Sequence, residues 1–170
     1  RLLNTRDLDV PKAVLHLGSN KGLRSKNIQL AKMLLEASAG KTHKASAFYE
    51  TEAWGKKDQR DFLNMAMLME TSHSPDELLD IIHKVENKLG RNRIEKWAAR
   101  VIDIDILFYN SDIIKNDHLK IPHPEITNRK FVLVPLKEIL PDFRHPETGK
   151  TVSQMLEDCN DSSWVNLYQS

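Results

Sequence analysis

The chain has 170 residues, enough for one domain with a sizeable hydrophobic core. Charged residues make up 29% and hydrophobic residues 40%, the balance of a soluble globular protein, and 25 Lys and Arg against 24 Asp and Glu leave a net charge of only +1. Near-neutrality argues against a broad nucleic-acid or membrane surface, while leaving room for a local basic pocket. The single cysteine, Cys159, excludes an internal disulfide and suits a reducing compartment. No run approaches the roughly 18 apolar residues of a membrane span, and no secretory signal is visible, so a cytoplasmic location is expected.

Residues 1–11 show no period and end in Pro11, so they are expected to form an N-terminal extension to a single domain over 12–170. KAVLHLGSN reads as a first strand closing in a Gly-Ser-Asn turn. A helical pattern follows, with Ile28, Ala31, Leu34 and Leu35 on one face and Gly40 just past its end. Residues 42–51 and 60–71 read as two strands. The next helix is the best marked: Ser74 is the N-cap, Pro75 the first helical residue and Glu77 the capping-box acid, with Gly90 as the stop. A basic loop, RNRIEKWAA, leads into the strand RVIDIDILFY. Residues 111–121 read as a hairpin, NRKFVLVPLKEIL as a short helix interrupted near Pro135, and Val152 to Asp158 as another helix. Strand, helix, two strands, helix, strand is the split βαβ pattern of a ferredoxin-like α+β sandwich, here with additional C-terminal strands and short helices.

Residues two apart in a strand share a face, so Val101, Asp103, Asp105 and Leu107 are expected on one face and Ile102, Ile104, Ile106 and Phe108 on the other. The aspartate Cβ atoms then lie roughly 6.5–7 Å apart. Two such carboxylates repel unless a cation sits between them, and they suit one or two Mg²⁺ ions that keep phosphate and water as remaining ligands. A solvated strand face carrying two acids is the alternative. Arg91, Arg93, Lys96 and Arg100 precede this strand, and His123 and Arg129 follow it. Acids that hold Mg²⁺ beside guanidinium groups are what a polyphosphate needs, although the loop also fits a solvated charge run paired with Glu95. In FLNMAMLM, Leu63, Met65, Met67 and Met69 read as core. Phe62 and Asn64 on the other face could stack on a heterocycle and read its edge; alternatively, Asn64 caps nearby backbone. No P-loop, kinase loop or zinc spacing occurs.

Taken together, LGSN at 17–20, FYETEAWG at 48–55, DFLN at 61–64, ELL…VENKLGRNR at 77–93, RVIDIDILF at 100–108 and IPHPEITNRKFVLVPLKEI at 121–139 resemble the 6-hydroxymethyl-7,8-dihydropterin pyrophosphokinase family of folate biosynthesis. The resemblance spans roughly residues 12–160. It implies a ferredoxin-like transferase, a monomer, that moves the pyrophosphoryl group of ATP to the pterin's hydroxymethyl oxygen, with two Mg²⁺ ions on Asp103 and Asp105. It implies Arg91, Arg100, Asp103 and Asp105 as catalytic. Glu86, Arg91, Arg93, Arg100, Ile106, His123 and Arg129 are implied at the nucleotide. Thr51, Trp54, Phe62, Asn64, Trp97, Asp103 and Phe131 are implied at the pterin. Two departures stand out: Glu52 and Ala53 replace a proline common in the family, and His118 and Lys120 replace other polar residues. Without the resemblance, a two-metal phosphodiesterase and a non-catalytic RNA-binding module remain as readings of the same residues.

Overall fold

A computed structural model of the chain describes residues 10–53, 59–90 and 101–169. Eight strands and four helices occur among them. In chain order they are β1 (Lys12–Ser19), α1 (Arg24–Ser38), β2 (Gly40–Ala45), β3 (Tyr49–Thr51), β4 (Phe62–Thr71), α2 (Pro75–Lys88), β5 (Asp103–Tyr109), β6 (Ile114–Lys115), β7 (Lys120–Ile121), α3 (Lys130–Ile139), α4 (Val152–Asp158) and β8 (Val165–Leu167). The main sheet runs β5-β1-β4-β3-β8, with β2 also paired to β4. Every pairing in it is antiparallel. With β2 and β3 counted as one interrupted strand, this is the strand order of the ferredoxin-like sandwich expected from the sequence.

The sheet separates two apolar clusters. Leu15 and Leu17 of β1, Leu63, Met65, Met67 and Met69 of β4, and Ile104 and Ile106 of β5 pack on Ile28, Leu35, Leu78 and Ile82 of α1 and α2. On the opposite face, Val14, Leu107 and Phe108 pack under Val132, Leu133 and Leu136 of α3 and Val152 and Met155 of α4. Helices α3 and α4 thus cover one end of that face, and the candidate functional side chains occupy its other end.

Helix α2 begins as expected. The Ser74 side chain accepts from the Glu77 N–H, Glu77 accepts from the Ser74 N–H, and Gly90 follows with φ +83°. Other details differ from the sequence reading. Gly18 and Ser19 belong to β1, paired with Asn64 and Leu63, and do not form a turn. Gly40 opens β2, where a Cβ would meet the Glu70 carbonyl oxygen at 1.8 Å; close backbone approach, not helix termination, requires glycine there. The expected strand 42–51 is broken into β2 and β3. Pairing of β1 with β5 slips between Val14 and Leu15, leaving Leu107 out of register, so Phe108 joins Leu107 beneath α3 and α4 instead of sharing the isoleucine face. Helix α3 runs unbroken through Pro135. Proline there removes the donor that would bond the Phe131 carbonyl, four residues back.

Candidate functional site

Antiparallel pairing decides which side chains meet. In β1, Gly18 lies between Asn64 of β4 and Asp103 of β5, and His16 lies between Ala66 and Asp105. Paired residues project to the same face, so the two aspartates, His16 and Asn64 converge on the part of the sheet that α3 and α4 leave uncovered. Gly18 leaves a hollow at its centre. A Cβ there would stand 3.3 Å from Asn64 Oδ1, 3.7 Å from His16 Cε1 and 3.7 Å from Phe62 Cδ1.

One wall is the end of β4 and β3. Asn64 is buried, and its Nδ2 donates to Thr51 Oγ1 at 3.0 Å and to the Tyr49 carbonyl at 3.4 Å. Both amide hydrogens are thereby used, and the Oδ1 acceptor faces the hollow. Phe62 pairs with Thr51 across β3 and β4 and lies half-buried at the rim. Strand β3 is pinned to α3 by Glu138, which accepts from Tyr49 Oη at 2.6 Å and from the Ala47 N–H at 3.1 Å.

The facing wall is the start of α3. Phe131 meets His16 edge-on, with ring centroids 5.6 Å apart, and the Arg129 guanidinium lies 5.7 Å over the Phe131 ring. The contacts therefore run from Phe131 through His16 and the Gly18 hollow to Phe62, so the two phenyl rings flank a slot with His16 and Gly18 in its floor.

Beyond the aspartates, a cavity of about 380 Å³ opens between α2, β5 and the β6–β7 hairpin. Asp103 and Asp105 line it half-buried, together with Glu86 and His123. Glu86 is buried, and its carboxylate accepts from the Ile104 N–H at 3.1 Å, fixing the outer edge of β5 midway between the aspartates. The His123 N–H donates to the Leu107 carbonyl at 3.0 Å, tying the loop after β7 to the same edge. Nδ1 of His123 accepts from the Glu125 N–H at 3.1 Å, which leaves Nε2 to carry the proton of the neutral ring. Burial and the nearby Arg129 guanidinium lower the His123 pKa to about 4. Burial lowers that of His16 to about 3, with Arg129 and His123 adding to the effect. Both rings are neutral at neutral pH.

The structure thus brings together Thr51, Phe62, Asn64, Glu86, Asp103, Asp105, His123, Arg129 and Phe131 from the sequence-predicted set. The Ile106 side chain packs in the core, although the residue also borders the cavity. Trp54, Arg91, Arg93, Trp97 and Arg100 lie outside the described residues. Sequence reasoning missed His83, His118 and Lys120 as cavity-lining groups. The spacing of Leu79, His83 and Glu86 along one helix face was the available signal for the first. His118 Nε2 also lies 3.0 Å from Asp76 Oδ1, joining the hairpin to the first turn of α2. His16 and Gly18 were missed as well, because β1 reads as an ordinary buried strand.

No group of three or more His, Cys, Asp or Glu side chains arranged to hold a metal occurs among the described residues. Two adjacent carboxylates beside an open cavity nevertheless fit Mg²⁺, which is held by one or two carboxylates when substrate phosphates and water supply the other ligands.

Comparison with known proteins identifies the family. The family described as 7,8-dihydro-6-hydroxymethylpterin-pyrophosphokinase (HPPK) matches residues 14–141. The chain is 41% identical over 150 residues to a 2-amino-4-hydroxy-6-hydroxymethyldihydropteridine pyrophosphokinase of Synechocystis, covering 86% of this chain and 76% of the relative. It is 45% identical over 140 residues to the enzyme of the same name from Aquifex aeolicus, covering 82% and 87%. Its fold is similar to that of the wild-type Plasmodium falciparum HPPK-DHPS crystallised with pterin and p-hydroxybenzoate, with TM-score 0.70 and 20% identity. That alignment covers 88% of this chain but 43% of the larger protein. The chain belongs to the 7,8-dihydro-6-hydroxymethylpterin-pyrophosphokinase family.

Proposed function

We propose that this chain transfers the pyrophosphoryl group of ATP to the hydroxymethyl oxygen of 6-hydroxymethyl-7,8-dihydropterin, giving AMP and the pterin diphosphate for folate biosynthesis. The observation that carries this reading is the Gly18 hollow, set between the Asn64 acceptor and the Asp103 carboxylate. A flat heterocycle stacked between Phe62 and Phe131 would present a donor edge to Asn64 Oδ1 while its substituent reached the aspartates.

The residues divide the work accordingly. Thr51 and Asn64 read the pterin edge, and Asn64 is already oriented by its two donated hydrogen bonds. Orientation of this kind lowers the entropic part of the barrier. Asp103 and Asp105 would hold two Mg²⁺ ions, which supply charge neutralisation for the phosphates and orient the attacking oxygen. His123 offers a neutral Nε2–H, and Arg129 a guanidinium, to phosphate oxygens. The family motif assigns Arg91, Arg93 and Arg100 to the same phosphates, and Trp54 and Trp97 to the pterin side. In the reaction the hydroxymethyl oxygen bonds the β-phosphorus and the Pα–O–Pβ link breaks. The electron pair leaves on AMP, and the hydroxyl proton passes to solvent. The same reading takes residues 12–170 as one domain acting as a monomer in the cytoplasm.

The test is incubation of the protein with ATP, Mg²⁺ and 6-hydroxymethyl-7,8-dihydropterin, with quantitation of nucleotides. AMP formed only when pterin is present supports the reading. ADP in equal amount to consumed ATP would make the protein an ordinary kinase. AMP formed equally without pterin would make it a hydrolase.

A further inference from the structure

His16 has no part in the residue roles given above, and its surroundings suit a ligand. It is 4% exposed, on the central strand of the sheet, directly across from Asp105. The backbone of Phe131 acts on the ring to raise its pKa against the effect of burial, as a carbonyl that accepts from the imidazole does. The Phe131 carbonyl is the group that Pro135 leaves without a helical donor, and an Nδ1–H of the imidazole suits that vacancy. The other ring nitrogen, Nε2, is buried and has no hydrogen-bond partner among the described residues. A proton on Nδ1 leaves Nε2 as a lone-pair acceptor. A buried acceptor left unmatched is costly and rare, and it calls for a donor from outside the fold.

The identity of that donor follows from place and rests on the pterin reading above. Asn64 and Thr51 mark the end of the slot that reads the heterocycle edge. His16 is at the other end, beside Asp105, where the substituent to be phosphorylated must lie. The donor a hydroxymethyl group carries is its O–H. We propose that His16 contacts the substrate directly, its Nε2 accepting the hydrogen of the hydroxymethyl O–H so that an oxygen lone pair turns towards the β-phosphorus. The imidazole holds this hydrogen in the bound complex and does not retain it; the proton passes to solvent as the O–Pβ bond forms and AMP leaves. His16 thereby distinguishes a pterin bearing a hydroxymethyl group from one bearing a methyl group.

The test compares 6-hydroxymethyl-7,8-dihydropterin with 6-methyl-7,8-dihydropterin by calorimetry, in the presence of Mg²⁺ and a non-hydrolysable ATP analogue. His16→Ala should reduce the preference for the hydroxymethyl ligand about ten-fold relative to the unaltered protein, the worth of one hydrogen bond. His16→Gln, whose amide reaches the place of Nε2, should restore much of it. His16→Asn, whose amide reaches only the place of Nδ1, should not. The reverse order of rescue would make His16 a support for Phe131 alone, and an unchanged preference in His16→Ala would remove it from the substrate. Nitrogen-15 spectra of the unaltered protein need no variant to fold. The Nε2 resonance should move with the hydroxymethyl ligand and stay with the methyl ligand, and equal movement with both overturns the proposal. Failure of the unaltered protein to bind either pterin would instead contradict the functional reading on which the proposal rests.

Discussion

Gly18 makes the site by the side chain it lacks. The hollow above it is bounded by Asn64, His16 and Phe62 at ordinary van der Waals distance or slightly less. Gly18→Ala should therefore fill the slot proposed for the pterin while leaving the strand intact. The expected outcome is a loss of pterin affinity of at least about ten-fold with a stability change below about 1 kcal/mol, read by calorimetry and thermal unfolding. Unchanged pterin affinity would place the ligand elsewhere. The two site histidines also make the fold acid-sensitive. Their folded-state pKa values, about 3 for His16 and about 4 for His123, lie below the ordinary 6.5, so protonation favours the unfolded chain. Their contribution is fully present above about pH 6.5 and is lost as pH falls through the window down to the folded values. His16 alone accounts for a loss of the order of 3 kcal/mol at about pH 4.5. Denaturant titrations across that range should show a shallower acid loss for His16→Asn than for the unaltered protein; identical slopes would contradict the burial argument.

At the scale of elements, the site depends on holding the edge strand β5 still, and Glu86 does this from α2. Its carboxylate bonds the Ile104 N–H, the one residue between the two aspartates. Glu86→Gln keeps an acceptor for that N–H and should leave stability near normal. Glu86→Ala strands a buried donor and should cost about 1–3 kcal/mol, measured by denaturant unfolding. Equal stability of the two variants would mean that the bond does not hold the strand. Much of the element level was legible in the sequence because it is written locally. Ser74, Pro75, Glu77 and Gly90 define α2 through short-range capping rules, and the alternation of Ile102, Asp103, Ile104 and Asp105 sets a half-buried strand. The rest depended on partners distant in sequence. Gly40 is glycine because Glu70 passes beside it, and Leu107 slips out of register because of β1.

For the whole molecule, the architecture explains why so plain a sheet carries chemistry. Helices α1 and α2 seal one face, while α3 and α4 seal only part of the other. The uncovered part holds the slot between Phe62 and Phe131 next to the open cavity, with Asp103 and Asp105 where the two meet, and the proposed function puts a flat ring in the first and a polyphosphate in the second. Paired acids and the aromatic-amide face were visible as separate sequence features. Their adjacency was not, because it arises from β1 threading between β4 and β5. The decisive measurement is phosphorus NMR of the pterin recovered after reaction with ATP and Mg²⁺. Two mutually coupled phosphorus signals, one of them also coupled to the C6 methylene protons, are expected with the unaltered protein. With Asp103→Asn and Asp105→Asn they should be lost while the fold is kept, because positioning and charge stabilisation dominate this catalysis. A single phosphorus on the pterin, or inorganic phosphate with the pterin unmodified, would contradict transfer of an intact pyrophosphoryl group at this site.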